Sequence, residues 1–240
     1  MIDVRILGSG SSGNAYIVSN GDTTLLLECG LSIKTLQVAT QYRITDIDAC
    51  LVSHEHGDHS KAAKHLAKFG LDIYMSAGTK EVIDAKEHRF KAFQTSAPLR
   101  YKPFTIGSFH VAPFRAIHDA KEPIGFRITD TSSKETLTFL TDSVYCPYRF
   151  NGSTIFMVEM NYIKEIIDKN TEEESMNVGR RNRTVESHMS LETAVDFLKS
   201  SGAEWSRAIY AMHLSDLNSD EERIYRRLRE EFRKPEIIIC

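Results

Sequence analysis

The stretch Ala49-Cys50-Leu51-Val52-Ser53-His54-Glu55-His56-Gly57-Asp58-His59 decides the fold. Four apolar residues suited to a buried strand run directly into three histidines and an aspartate at fixed spacing. Ser60 to Phe69 follows with apolar residues at Ala62, Ala63, Leu66 and Phe69, a helical face stopped by Gly70. The polar run therefore lies between the end of a strand and the start of a helix. Imidazole nitrogen and carboxylate oxygen are ligands for zinc and similar divalent ions. On an extended loop, residues two apart point the same way, so His54 and His56 can grip one ion. Asp58 and His59, where the chain turns into the helix, can face a second.

The loop alone does not fill two coordination shells, so further ligands must come from distant strand ends. His118 follows a strand ending near Arg115, Asp142 follows Phe139-Leu140, and His213 follows Ile209-Tyr210-Ala211-Met212. A single histidine after a strand is more often a structural residue. Three such candidates joined to the first run carry more weight together than any does alone. His65, His88 and His110 have no such setting and read as structural.

The rest of the chain is organised around this motif. Strands are predicted at Asp3 to Leu7, Ala15 to Ser19 and Thr23 to Glu28, with a hairpin turn at Asn20-Gly21-Asp22. A helix is expected over Ser32 to Gln41 with Ser32 as its N-cap, and another over Thr79 to Lys86. Strands follow at Ile73 to Met75, Phe104 to Arg115 (a pair around Gly107-Ser108), Ile124 to Thr129, Thr136 to Leu140 and Thr154 to Val158. The second half alternates helices at Tyr162 to Lys169, Leu191 to Ser200 and Asp220 to Phe232 with strands at Ala208 to Met212 and Glu236 to Ile239. There is no internal repeat or linker. This order predicts an α+β fold, a four-layer αββα sandwich of two mixed sheets with outer helices, in one domain spanning 1–240.

Composition narrows the function. With 41% hydrophobic residues the chain can bury a core without disulfides. Cys29, Cys50, Cys146 and Cys240 form no C-x-x-C pair and read as reduced thiols of a cytosolic protein. Met1 to Arg5 has none of the features of a signal peptide, and no apolar run is long enough for a membrane span. The net charge is −3, from 30 basic and 33 acidic residues. Proteins that wrap long nucleic acid usually carry a basic excess, so the balance favours a small substrate or a polymer held locally. Gly8-Ser9-Gly10-Ser11-Ser12-Gly13 fits G-x-G-x-x-G, but Asn14-Ala15-Tyr16-Ile17-Val18 continues as a strand, which excludes a dinucleotide fingerprint.

The sequence resembles the metallo-β-lactamase superfamily through Leu26-Leu27-Glu28-Cys29-Gly30, Ser53 to His59, His118, Thr141-Asp142-Ser143 and Met212-His213-Leu214-Ser215. The resemblance runs nearly the whole chain. It implies the αββα fold and two divalent ions, zinc or manganese. One ion would be held by His54, His56 and His118, the second by Asp58, His59 and His213, with Asp142 bridging. Relatives usually have aspartate where this chain has Glu28, a residue that supports the ligands from behind.

Two further residues point to a branch. Glu159 ends a strand, and His188 precedes a helix whose N-cap is Ser190. The pair resembles the glutamate and histidine beside the metals of the ribonuclease Z branch, where they stabilise the scissile phosphate and protonate the leaving oxygen. A two-metal site activates water but still needs an acid on the opposite side. The Ser-Gly-Ser-Ser-Gly-Asn loop, Glu186 to Ser190 and His213-Leu214-Ser215-Asp216 resemble the YycJ (WalJ) group, and within it the anti-Pycsar phosphodiesterases of phages. For a phage-encoded chain the expected compartment is the host cytosol. The resemblance implies a phosphodiesterase for cyclic mononucleotides, cyclic pyrimidine messengers included, with Asp58 orienting the nucleophile and Glu159-His188 delivering the proton. A YycJ- or ribonuclease Z-like nuclease is the alternative. Arg180, Arg181 and Arg183 could clamp a phosphate or form a solvated helix end, and Tyr145, Tyr148, Phe150 and Tyr162 could stack on a base or pack in the core. Relatives often form homodimers, but the sequence shows no interface.

Overall fold

The computed structural model describes residues 1–98, 100–173 and 176–240. They form two compact units, Met1–Arg115 with Ala120–Glu135, and Ala116–Asp119 with Thr136–Cys240.

In the first unit, β1 (Asp3–Gly8), β2 (Ala15–Ser19) and β3 (Thr24–Leu27) are antiparallel. Asn20 makes the expected turn, its Oδ1 accepting from Asp22 N at 3.1 Å and Thr23 N at 2.9 Å. The sheet continues in parallel through β4 (Ala49–Leu51), β5 (Asp72–Met75) and β6 (Phe90–Ala92), in the order β1-β2-β3-β4-β5-β6. Helices α1 (Ile33–Ala39), α2 (Gly57–Ser60), α3 (Ala63–Lys68) and α4 (Ala77–Val82) join these strands. Leu26, Cys50, Val52 and Ile73 share one buried cluster with Leu36 of α1 and Leu66 of α3. β7 (Thr95–Ala97) and β8 (Arg100–Tyr101) pair separately, and β9 (Phe104–Ile106), β10 (Phe109–Arg115) and β11 (Ile124–Asp130) form an antiparallel ribbon.

The second unit contains β12 (Thr136–Leu140), β13 (Ile155–Glu159), β14 (Ala208–Met212) and β15 (Glu236–Ile239), parallel and in the order β15-β14-β13-β12. Every residue of β12 and β13 is buried, as strands covered on both faces require. Helices α5 (Lys164–Glu172), α6 (Val178–Ser187) and α7 (Leu191–Ser200) bridge β13 to β14, and α8 (Glu221–Glu231) bridges β14 to β15. Parallel strands need such crossovers.

Several boundaries differ from the sequence expectation for local reasons. Ser32 caps α1 as predicted, but the helix stops at Ala39 because Gln41 and Tyr42 turn left-handed at φ 53° and 60°. Asp84, at φ 49°, likewise closes the turn after α4. The helix expected over Ser60 to Phe69 is α3, Ala63–Lys68, and a separate short helix, α2, precedes it at Gly57–Ser60. The Asp58 carbonyl accepts from Asn14 N, and Ala62 N bonds to Cys29 O instead, which breaks the ladder between α2 and α3. Helix α6 was not predicted: Val178 and Val185 are its only aliphatic residues, too few to make a stripe.

Candidate metal centre

Most of the singled-out residues lie just beyond the carboxyl ends of parallel strands, where sites in such sheets collect. His54 follows β4, Asp142 follows β12, Glu159 closes β13 and His213 follows β14. His118 lies three residues beyond β10.

In the first unit, His54 Nε2 lies 3.0 Å from His56 Nδ1, while His54 Nδ1 is 2.8 Å from Ser53 Oγ. His59 is fully buried. Its Nδ1 is 3.1 Å from Glu28 Oε2, so it donates there, and its Nε2 lies 3.4 Å from Asp58 Oδ2. The other Glu28 oxygen accepts from Ser53 N at 3.0 Å. One buried carboxylate thus ties both ends of the histidine run. Burial pushes the Glu28 carboxyl up, only partly opposed by His59 and Ser53.

The Gly-Ser loop before β2 cradles the same segment. Asn14 N donates to Asp58 O at 2.8 Å, Cys29 N to His59 O at 2.7 Å, and Asn14 Nδ2 lies 3.4 Å from His59 Nε2. Gly30 is required here, because a Cβ on it would stand 1.6 Å from the Asp58 carbonyl oxygen. Asn14 has no stated role in the sequence reading, although it closes the Ser-Gly-Ser-Ser-Gly-Asn loop that carries part of the resemblance.

In the second unit, Asp142, Glu159, His188 and His213 offer ligand atoms within 4.8 Å of one another. His118 Nδ1 donates to Ser187 O at 2.6 Å, and its Nε2 lies 3.4 Å from Asp142 Oδ2 and 3.3 Å from Asp119 Oδ1. His213 Nδ1 lies 3.3 Å from Glu159 Oε1 and 3.2 Å from Asn161 Nδ2, while its Nε2 lies 3.7 Å from Asp142 Oδ1. His59, His118 and His213 share one pattern: Nδ1 is held by the protein and Nε2 lies beside a carboxylate oxygen. Metal-binding histidines are oriented in this way, and the nitrogen and oxygen donor set suits zinc or a similar ion. The residues fit the group.

Glu159 is fully buried and accepts four hydrogen bonds. His188 Nδ1 (2.6 Å) and His213 Nδ1 meet Oε1, and Ser143 N (3.0 Å) and Met189 N (3.1 Å) meet Oε2. Burial works to raise the Glu159 carboxyl, but His188 and the donors around it bring it below the ordinary value. Burial likewise opposes charge on His188, yet Glu159 and Asp142 raise its pKa overall. His118, where burial dominates, is lowered. Glu28, Asp142 and His213 all adopt left-handed backbone, at φ 62°, 35° and 53°. For non-glycine residues this is strain of a kind that gathers at functional sites.

The remaining candidates separate. Arg181 pairs with Asp168 of α5 at 2.5 Å, a structural tie. Arg183 Nε lies 3.5 Å from Asp119 Oδ2, beside His118, and Arg180 is exposed. Tyr145 and Tyr148 are exposed, whereas Phe150 and Tyr162 are buried in packing contacts. His65, His88 and His110 are exposed and stand outside these clusters, and all four cysteines are free thiols. Asp119, Asn161 and the Ser187 carbonyl were not foreseen, because a partner that orients a ligand carries no spacing signature.

A family model described as a beta-lactamase superfamily domain matches residues 23–214. The chain belongs to the metallo-β-lactamase superfamily and is one of its hydrolases. Among curated relatives it is 29% identical to the exodeoxyribonuclease YycJ of Bacillus anthracis, over 90% of this chain and 84% of that one. It is 33% identical to the anti-Pycsar protein Apyc1 of Paenibacillus sp. (strain J14), over 28% of this chain and 31% of that one. The metallo-β-lactamase fold protein YhfI of Bacillus subtilis superposes with a TM-score of 0.75 at 21% identity, covering 100% of this chain and 96% of YhfI. The expected fold is therefore the observed one. Among the described residues no helix is long and apolar enough to cross a membrane.

Proposed function

We propose that residues 1–240 act as one metal-dependent phosphodiesterase domain whose substrates are cyclic mononucleotides. The observation that carries the phosphodiester reading is the Glu159–His188 pair, an imidazole held at 2.6 Å by a buried carboxylate and lying 3.9 Å from Asp142. His54, His56 and His118 would hold one divalent ion and Asp58, His59 and His213 another, with Asp142 shared. When bound, such ions neutralise phosphate oxygens and activate a water. Glu28, Ser187 O and Asn161 orient the imidazoles. Asp58 accepts a hydrogen bond from the attacking water and fixes its line of approach. Glu159 keeps His188 Nδ1 engaged, so the proton delivered to the departing ribose oxygen leaves from Nε2.

The net charge of −3 favours a small substrate over a long polyanion. One observation favours a second reading, a DNA exonuclease: the YycJ likeness extends over 90% of this chain, the Apyc1 likeness over 28%. Purified enzyme loaded with Zn2+ or Mn2+ is incubated with 3′,5′-cyclic mononucleotides of all four bases, and separately with single- and double-stranded DNA and RNA. Ring opening with the polymers intact is the expected result. Degraded polymer beside intact cyclic nucleotides would transfer the proposal to the nuclease.

A further inference from the structure

Glu55 lies in the middle of the histidine run, yet among the described residues its carboxylate joins none of the candidate ligand clusters. Its Oε1 accepts from Lys121 N at 2.6 Å and its Oε2 from Thr79 Oγ1 at 3.3 Å. The strap 121–124 is tied down on several other sides. Glu122 Oε2 accepts from Gly78 N at 2.6 Å, Glu122 Oε1 accepts from Tyr101 OH at 2.8 Å, and Ile124 N donates to Ser53 O at 3.1 Å. Residues 53–55 and 121–124 therefore run alongside each other. The approach to α4 is close, since a Cβ on Gly78 would stand 2.7 Å from the Cβ of Glu122. His118 lies three residues upstream of Lys121. Its ring is held by Ser187 O and its neighbour Ile117 by Ser143 and Val144, and the strap is the further anchor of the segment on its C-terminal side.

We infer that Glu55 is a positioning residue: through its hydrogen bonds to Lys121 N and Thr79 it fixes the strap that leads to His118 and so sets metal affinity. The role rests on the metal-centre reading above and needs an acceptor of the right length rather than a charge. A glutamine keeps an oxygen for Lys121 N and offers an N–H to Thr79 Oγ1. Aspartate, one methylene shorter, keeps the charge and loses the span.

The test compares wild type with Glu55→Gln, Glu55→Asp and Glu55→Ala. It measures Zn2+ affinity by competition with a chromophoric chelator, exchange of the Lys121 amide, and hydrolysis of bis(p-nitrophenyl) phosphate. Glu55→Gln should match wild type within about threefold. Glu55→Asp and Glu55→Ala should weaken Zn2+ binding by about 10–100-fold and expose the Lys121 amide. Wild-type affinity in both Asp and Ala variants overturns the inference, as does a Gln variant as damaged as the Ala one, which would show that the charge is needed. Should Glu55→Ala fail to fold, the Gln and Asp variants decide alone. A wild type that binds Zn2+ but leaves every phosphodiester intact defeats the proposed function, while these affinities still judge Glu55.

Discussion

Glu159 has no room for an amide. Four donors converge on its two oxygens, so a glutamine would set its own N–H2 against at least one of them. Glu159→Gln should cost about 2–4 kcal/mol of stability, read by urea unfolding, and leave His188 unanchored. His188→Ala separates proton delivery from metal binding. Turnover should fall about 10²–10⁴-fold while metal content by elemental analysis stays at the wild-type value, and loss of the ions would show that His188 is itself a ligand. Glu28→Asp keeps the carboxylate, but its shorter side chain cannot span from Ser53 N to His59 Nδ1 on this backbone. Zn2+ affinity in the Asp variant should drop about tenfold or more, and unchanged affinity would mean that the backbone follows the side chain.

Elements succeed or fail here on contacts that local sequence does not announce. The strands β2, β4, β12 and β14 and the helix α7 were legible because each couples an apolar run or stripe to a turn or cap signal. The candidate ligands stood out for a related reason, since histidine and aspartate directly after such strands have few other uses in combination. The break between α2 and α3 was not, because it depends on Asn14 claiming a carbonyl 44 residues away. Helix α6 was hidden as well, held by Asn177 and Asp168 and by Val185 against Tyr162, Ile167 and Met176, too little apolar surface to make a stripe. Gly30→Ala should push the Asp58–His59 segment outward, costing about 1–3 kcal/mol and most of the metal affinity; a variant with wild-type melting and metal content would refute the close approach. The turn after β11 sets a pH dependence. Ser133, then Ser132 and Asn20, hold the Asp130 carboxyl down at about 2 against the effect of burial. A depressed folded value adds stability above the unfolded value near ~3.9, and that stability is lost as pH falls through about 2. Asp130→Asn should therefore flatten the stability profile between about pH 4 and pH 2, monitored by circular dichroism.

At the scale of the molecule, metal binding and folding are linked. Free Zn2+ at about 100 times its dissociation constant should stabilise the protein by about 2.7 kcal/mol, and chelation should remove that increment. A melting temperature indifferent to chelator would mean that the ligand residues hold no ion. The left-handed backbone at Glu28, Asp142 and His213 has a consequence for descent. Each of these residues gives up about 1–2 kcal/mol that glycine would not. Selection for turnover keeps the side chains in place; without it, glycine is the substitution with most conformational relief at all three positions. A gene copy that has abandoned catalysis should accumulate glycine at 28, 142 and 213 while its strands stay apolar. The protein from such a copy would melt higher than a corresponding alanine triple variant, and its history could be read from three codons.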